Sequence, residues 1–179
     1  MSPNQHRDLT ASCRCGGVVL AVIGPPILRA VCYCASCQKA GHHIGQIHGA
    51  AVVLEPDGGT DFVLFRKDRV RCVQGGERLE AFRLAPDAPT RRMVATCCNS
   101  AMFLDFTKGH WLTVYSARLP SNGAPLEMRV MTAARPQAAP ETSGDVPGYP
   151  GYPGRFMWKL LRAWASMGFR TPKVDGVPA

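Results

Sequence analysis

The stretch Val31-Cys32-Tyr33-Cys34-Ala35-Ser36-Cys37-Gln38 decides how this chain is read. It sets three cysteines within six residues. Two more groups flank it: Cys13-Arg14-Cys15, followed by Gly16-Gly17, and the adjacent pair Cys97-Cys98. Cys72 is the only one of the eight cysteines outside these groups. The opening residues MSPNQHRDLTAS have no basic lead running into an apolar stretch, so a cytoplasmic location is expected. The apolar run VVLAVIGPPIL (18–28) is broken by Gly24, Pro25 and Pro26 and is too short to span a bilayer. In a reducing compartment, clustered cysteines bind metal or do redox chemistry more often than they form disulfides.

Zinc fits such a sulfur set because it takes four soft ligands at tetrahedral corners. A CxC or CxxC segment aims two thiolates at one ion when the chain turns beside them. Gly16 and Gly17 after Cys15 allow that turn a positive φ. Cys32, Cys34 and Cys37 can hold one ion by themselves. The fourth position is then open to water or a thiol, or is closed by His42, His43, His48 or a remote cysteine. No segment supplies four ligands alone, so at least one site must join distant parts of the chain. Neighbouring side chains on a strand point to opposite faces. Cys97 and Cys98 can therefore share one ion only where the backbone kinks.

Working outward, residues 1–8 form a polar lead. Short β-rich runs separated by turns then continue to about Pro120. The expected strands are SCRC, GVVLAVIG, ILRAVCYC, AAVVLEP, TDFVLFR, RVRCVQG, LEAFRLA, RMVATC, AMFLDF and HWLTVYSARL. Gly16-Gly17, Pro56–Gly59 and Gln74–Glu77 mark turns. A helical turn is expected through ASCQKAGHHIG, after Cys34. The fold class is mostly β, with antiparallel sheets and short helical turns. Three regions follow: a zinc-binding β domain (1–120), a Pro/Gly/Ala-rich linker (121–154) and a C-terminal amphipathic helix (155–171). In that helix Phe156, Met157, Leu160, Leu161, Trp164 and Met167 share one face, opposite Arg155, Lys159 and Arg162. Such a helix docks on its own domain, binds a partner, or lies on a membrane surface.

The runs SCRCGGVVLAVIG, VCYCASCQKAGHH and ATCCNSAMFLDF resemble the glutathione-dependent formaldehyde-activating family, which includes centromere protein V-like domains. The resemblance covers roughly Leu9 to Leu119 and implies an Mss4-like, zinc-bearing, mostly β fold. It implies one or two zinc ions, with Cys13, Cys15 and Cys98 in a structural site and Cys32, Cys34 and Cys37 in the active site. It further implies carbon–sulfur lyase activity on adducts of a small thiol such as glutathione. Three positions depart from the family pattern: Tyr33 replaces a histidine, Ala95 stands where a cysteine belongs beside Cys97-Cys98, and Asn99 replaces a glycine. The set CxCG, CYCxxCQ, GGTD and CCN is similar to a bacterial branch of the same superfamily.

Two other functions compete with the enzyme. The net charge of +8 and the C-terminal helix suit a non-catalytic, zinc-stabilised module that binds protein, nucleic acid or a membrane surface. Cys97-Cys98 and the middle group also suit a metal or redox sensor. Cys72 reads as a small buried hydrophobe. His42 and His43 read as surface residues near the middle group. No phosphate loop, GxGxxG fingerprint or Ser/His/Asp arrangement is present.

Overall fold

The structure is a computed structural model and describes residues 8–140 and 146–178. Residues 1–7 of the polar lead, residues 141–145 of the expected linker and residue 179 lie outside the described residues. In chain order the elements are β1 (Leu9–Ser12), β2 (Val19–Val22), β3 (Leu28–Cys32), α1 (Ala35–Gly45), β4 (Thr60–Arg66), β5 (Val70–Gln74), β6 (Leu79–Phe82), β7 (Thr90–Ala95), β8 (Ser100–Phe106), β9 (Trp111–Tyr115), β10 (Met128–Val130) and α2 (Gly154–Ala165).

The molecule is mostly β, as the alternating runs predict. β1-β2-β5 form a small sheet, and β10-β3-β4-β9-β8-β7-β6 form a large one. The pairings are antiparallel except that of β10 with β3, which is parallel. The strand β4 shows why the large sheet is covered on both faces. Its Val63 and Phe65 enter a core with Leu20, Val22 and Val70 of the small sheet. Its Phe62 and Leu64 point the other way, into a core shared with Cys37, Ile44, Phe156 and Leu160 of the helices. Period-two alternation thus puts apolar residues on both sides of a central strand. Small sheet, large sheet and helices stack in three layers.

α1 covers ASCQKAGHHIG as expected. Cys34 is its N-cap, in extended conformation, and the Cys34 sulfur accepts from the Cys37 amide. α2 docks through Phe156 and Leu160, and Met167 just beyond its end is also buried. His110 Nε2 donates to the Leu160 carbonyl at 2.9 Å and the His110 ring stacks on Trp164 at 5.5 Å. Glu127 pairs with Lys159 at 2.5 Å and with Arg155 at 3.3 Å. The helix stops at Ala165, short of the expected 171, because Gly168 and Phe169 adopt positive φ. Met157, Trp158 and Leu161 face solvent. No helix among the described residues is long and apolar enough to cross a membrane.

Three further expectations differ from the structure. Within the expected linker, Met128–Val130 pairs with β3 and is sheet. AAVVLEP is not a strand: Leu54 packs against Gly41 of α1, and Val52 is 83% exposed. Of SCRC only Ser12 belongs to a strand, because Cys13–Gly16 turns, with the Gly16 amide donating to the Cys13 carbonyl at 3.0 Å.

Candidate metal centres and their cavity

The seven clustered cysteines gather into two separate sulfur sets. The outer set joins Cys13 and Cys15, at the β1–β2 turn, to Cys97 and Cys98, at the β7–β8 turn. Its four sulfurs lie within 4.8 Å of one another. Cys13 to Cys15 is 3.6 Å, Cys13 to Cys97 is 3.8 Å and Cys15 to Cys97 is 3.3 Å. Four sulfurs around one ion at metal–sulfur distances near 2.3 Å stand about 3.8 Å apart. The spacing therefore suits a tetrahedral thiolate shell.

The adjacent pair can converge because it does not lie on a strand. β7 ends at Ala95, and the Cys98 amide donates to the Ala95 carbonyl, closing a turn. Asn99 carries the reversal at φ 53°, a backbone position asparagine tolerates. Ala95 is fully buried in the core between the sheets, and the four sulfurs of the set come from Cys13, Cys15, Cys97 and Cys98. Around the outer set, Arg14 Nη2 reaches the Gly49 and Cys98 carbonyls, and Arg118 Nη1 reaches the Ser100 hydroxyl. Ser100 lies 3.1 Å from the Cys98 sulfur. Burial raises the Cys98 thiol, but hydrogen bonds from Ser100, the Cys15 amide and neighbouring thiols outweigh it and bring it down to about 6.

The middle set is local. Cys32 ends β3, Cys34 caps α1 and Cys37 sits in the first turn of α1. Their sulfurs also lie within 4.8 Å of one another. Hydrogen bonds from Cys32 and Cys37 hold the Cys34 thiol far down, at about 2, and the Cys37 and Ser36 amides add to this. Donating to Cys34 pushes Cys32 up to about 11, and hydrogen bonds with Cys32 and then Cys34, together with burial, raise Cys37 as well. Cys34 is thus the natural first thiolate of the set. Tyr33 points away from these sulfurs, its hydroxyl donating to Asp57 at 2.6 Å and accepting from Arg129.

Among the described residues no histidine or carboxylate joins either set. The His43 ring stacks on Phe82, and the His48 carbonyl accepts from Asn99, which ties its loop to the outer set. Cys72 sits in β5 with its thiol toward the Gln74 carbonyl, outside both sets. Either sulfur set could hold a metal ion.

The middle set opens on a cavity of about 430 Å³. β-sheet residues such as Phe62, Leu64 and Leu104 line one side, and Tyr152, Phe156 and Leu160 line the other. The Tyr152 hydroxyl is 3.9 Å from the Cys32 sulfur. The cavity is otherwise largely apolar, with one cation, Arg92, on its wall.

Residues 8–124 match the family model for glutathione-dependent formaldehyde-activating enzyme. The chain belongs to this family. The match takes in both sulfur sets and stops before β10 and α2, so Tyr152 and Phe156 lie beyond the part the family model describes. No curated protein matches the chain. A crystal structure of a Rhodobacter sphaeroides protein is similar at 16% identity and a TM-score of 0.46, covering 78% of this chain and 99% of that one.

Sequence reasoning missed Arg92 and Tyr152. The signal for Arg92 was the alternation in Arg92-Met93-Val94-Ala95: Met93 and Ala95 enter the core between the sheets, so Arg92 and Val94 must face the helices. Tyr152 sat inside a Gly/Pro-rich run whose composition gives no hint of packing.

Proposed function

We propose that the chain is a cytoplasmic zinc-dependent enzyme of the carbon–sulfur lyase type, acting on adducts of a small thiol. One observation carries the reading: three cysteine sulfurs converge on an apolar cavity, with no histidine, carboxylate or fourth cysteine beside them among the described residues. Zinc held by Cys32, Cys34 and Cys37 would supply a Lewis acid with a position left for a sulfur or oxygen of the adduct. The chain's own residues do the rest. Cys34 is fixed by its capping role and Cys37 by the first turn of α1, so the sulfurs are preorganised. The apolar walls would limit water around the reacting bond once an adduct fills the cavity. The Tyr152 hydroxyl beside Cys32 is placed to give or hold a proton on the departing group. Cys13, Cys15, Cys97 and Cys98 supply a complete four-sulfur shell, which suits a second, structural zinc in an Mss4-like frame. Metal content and turnover of the glutathione–formaldehyde adduct test the reading. Turnover that survives Cys34→Ser would sink it.

A second reading draws on the exposed Met157, Trp158 and Leu161 of α2 together with the +8 charge. Here the zincs only hold the fold, and this face binds a protein, nucleic acid or anionic membrane. The double variant Trp158→Ser with Leu161→Ser should then fold normally and lose salt-sensitive binding to anionic vesicles or polyanions. Unaltered binding, or none by the parent protein, rejects it.

A further inference from the structure

Arg92 is 2% exposed, in β7, yet it lines the cavity beside the middle sulfur set. Its side-chain hydrogen bonds among the described residues go to one residue: Nη2 donates to the Ser36 hydroxyl at 2.9 Å and to the Ser36 carbonyl at 3.1 Å. No carboxylate among the described residues forms an ion pair with it. Other buried or half-buried cations in or beside the large sheet behave differently. Lys67 lies 2.8 Å from Asp105, Arg91 lies 2.9 Å from the same carboxylate, and Arg29 pairs with Asp61. Burying a guanidinium is costly, and apart from the sulfurs of the middle set, which the proposed zinc would occupy, no anionic group lines this cavity, so Arg92 is placed to receive an anion from outside.

We infer that Arg92 is a specificity-determining residue and that the cavity takes a compact, largely apolar molecule bearing a single carboxylate. This rests on the reading of the middle set as the reacting centre and narrows its thiol. Guanidinium and carboxylate match in a two-pronged geometry, and the pairing gains strength away from water. Phe62, Leu64, Leu104 and Phe156 supply the apolar walls. Glutathione fits this lining poorly. It carries two carboxylates and an ammonium group, whereas the cavity wall offers one cation and no carboxylate. A thiol acid with an aromatic or branched apolar body satisfies both ends: carboxylate on Arg92, sulfur toward Cys32, Cys34 and Cys37.

The test uses the full-length, zinc-loaded protein and titration calorimetry. The first arm compares 3-phenylpropanoate with its neutral amide, neither of which carries sulfur. The acid should bind at least about tenfold more tightly, the effect of one charge-assisted pair. Arg92→Gln should reduce that preference to less than about twofold, while Arg92→Lys should keep part of it. Equal binding of acid and amide by the parent protein overturns the assignment without relying on any variant. An undiminished preference in a folded Arg92→Gln protein also overturns it. The second arm adds 3-phenyl-2-sulfanylpropanoate and glutathione to cobalt(II)-loaded protein and reads the sulfur-to-cobalt absorption. The sulfanyl acid should change the spectrum at lower concentration than glutathione, and the reverse order refutes the inference. If neither thiol alters the spectrum, the open metal position is wrong, and Arg92 stands or falls on the first arm alone.

Discussion

The hydroxyl of Tyr152 stands 3.9 Å from the sulfur of Cys32, although 120 residues separate them in sequence. The contact crosses the boundary between the family-matched region and the C-terminal segment. Burial raises the Tyr152 phenol, with the neighbouring thiols adding to it, so the proton stays on oxygen at neutral pH. Tyr152→Phe should leave metal content unchanged and lower adduct turnover by about a hundredfold, as loss of a positioned proton donor does. Turnover at matched metal loading measures it. An unchanged rate would reduce Tyr152 to a wall of the cavity.

The two sulfur sets predict two ions per chain, and their ligands should separate in behaviour. Cys13→Ser and Cys34→Ser should each remove one ion. Cys13 is 3% exposed and packs in the core between the sheets, so its loss should also cost several kcal/mol of stability. Cys34 is a partly exposed helix cap, a position that serine also fills well, so its replacement should cost less than about 1 kcal/mol. Elemental analysis together with denaturant unfolding distinguishes them. Equal destabilisation by both changes would contradict the division into staple and working site.

Gly75 touches the outer set indirectly. It has φ +71°, and a Cβ there would lie 2.0 Å from the Gly17 carbonyl oxygen. Gly17 in turn packs on the sulfurs of Cys15 and Cys97. Gly75→Ala should therefore cost at least about 2 kcal/mol from strain. It should also speed metal loss to a chelator from the outer set and not from the middle one. Chelator kinetics on cobalt-loaded protein would show the two phases.

His110 sets a pH dependence. Burial lowers its pKa, more than its bond to the Leu160 carbonyl raises it, and the nearby Lys67 lowers it further. Because the folded pKa lies below the unfolded one, the unfolded chain takes up the proton first as pH falls. Stability from this residue is full above about pH 6.5 and declines below it until the folded pKa is passed. Thermal midpoints at pH 7.5 and 5.5 should differ, and His110→Phe should shrink that difference. The same drop in the variant would rule out His110 as its source.

Much of this arrangement was legible in the sequence, and the reasons are local. The short apolar runs in TDFVLFR and AMFLDF, set off by turn signals, mark strands because the sheet buries both of their faces. ASCQKAGHHIG is bounded by a capping sulfur that the cysteine spacing already singled out. The legible signals end where a contact depends on the third dimension. β10 is three residues long and exists because β3 offers an edge. AAVVLEP has strand composition, yet Leu54 packs on α1 and the segment pairs with no strand. Cys97 and Cys98 meet one set only because Asn99 turns the chain, which alternation along a strand would forbid. Arg92 looks like any surface arginine until β7 is placed with its neighbours.

The two sulfur sets also differ in when they can exist. Cys32, Cys34 and Cys37 are all present once a growing chain has reached α1, and little loop must close to bring them together. Cys13 and Cys97 are 84 residues apart, and their meeting waits for the β7–β8 hairpin. During vectorial synthesis the inner trio can therefore capture its ion before the outer quartet is assembled. Metal starvation at that stage would leave nascent chains with a filled inner trio and an open seam between the sheets.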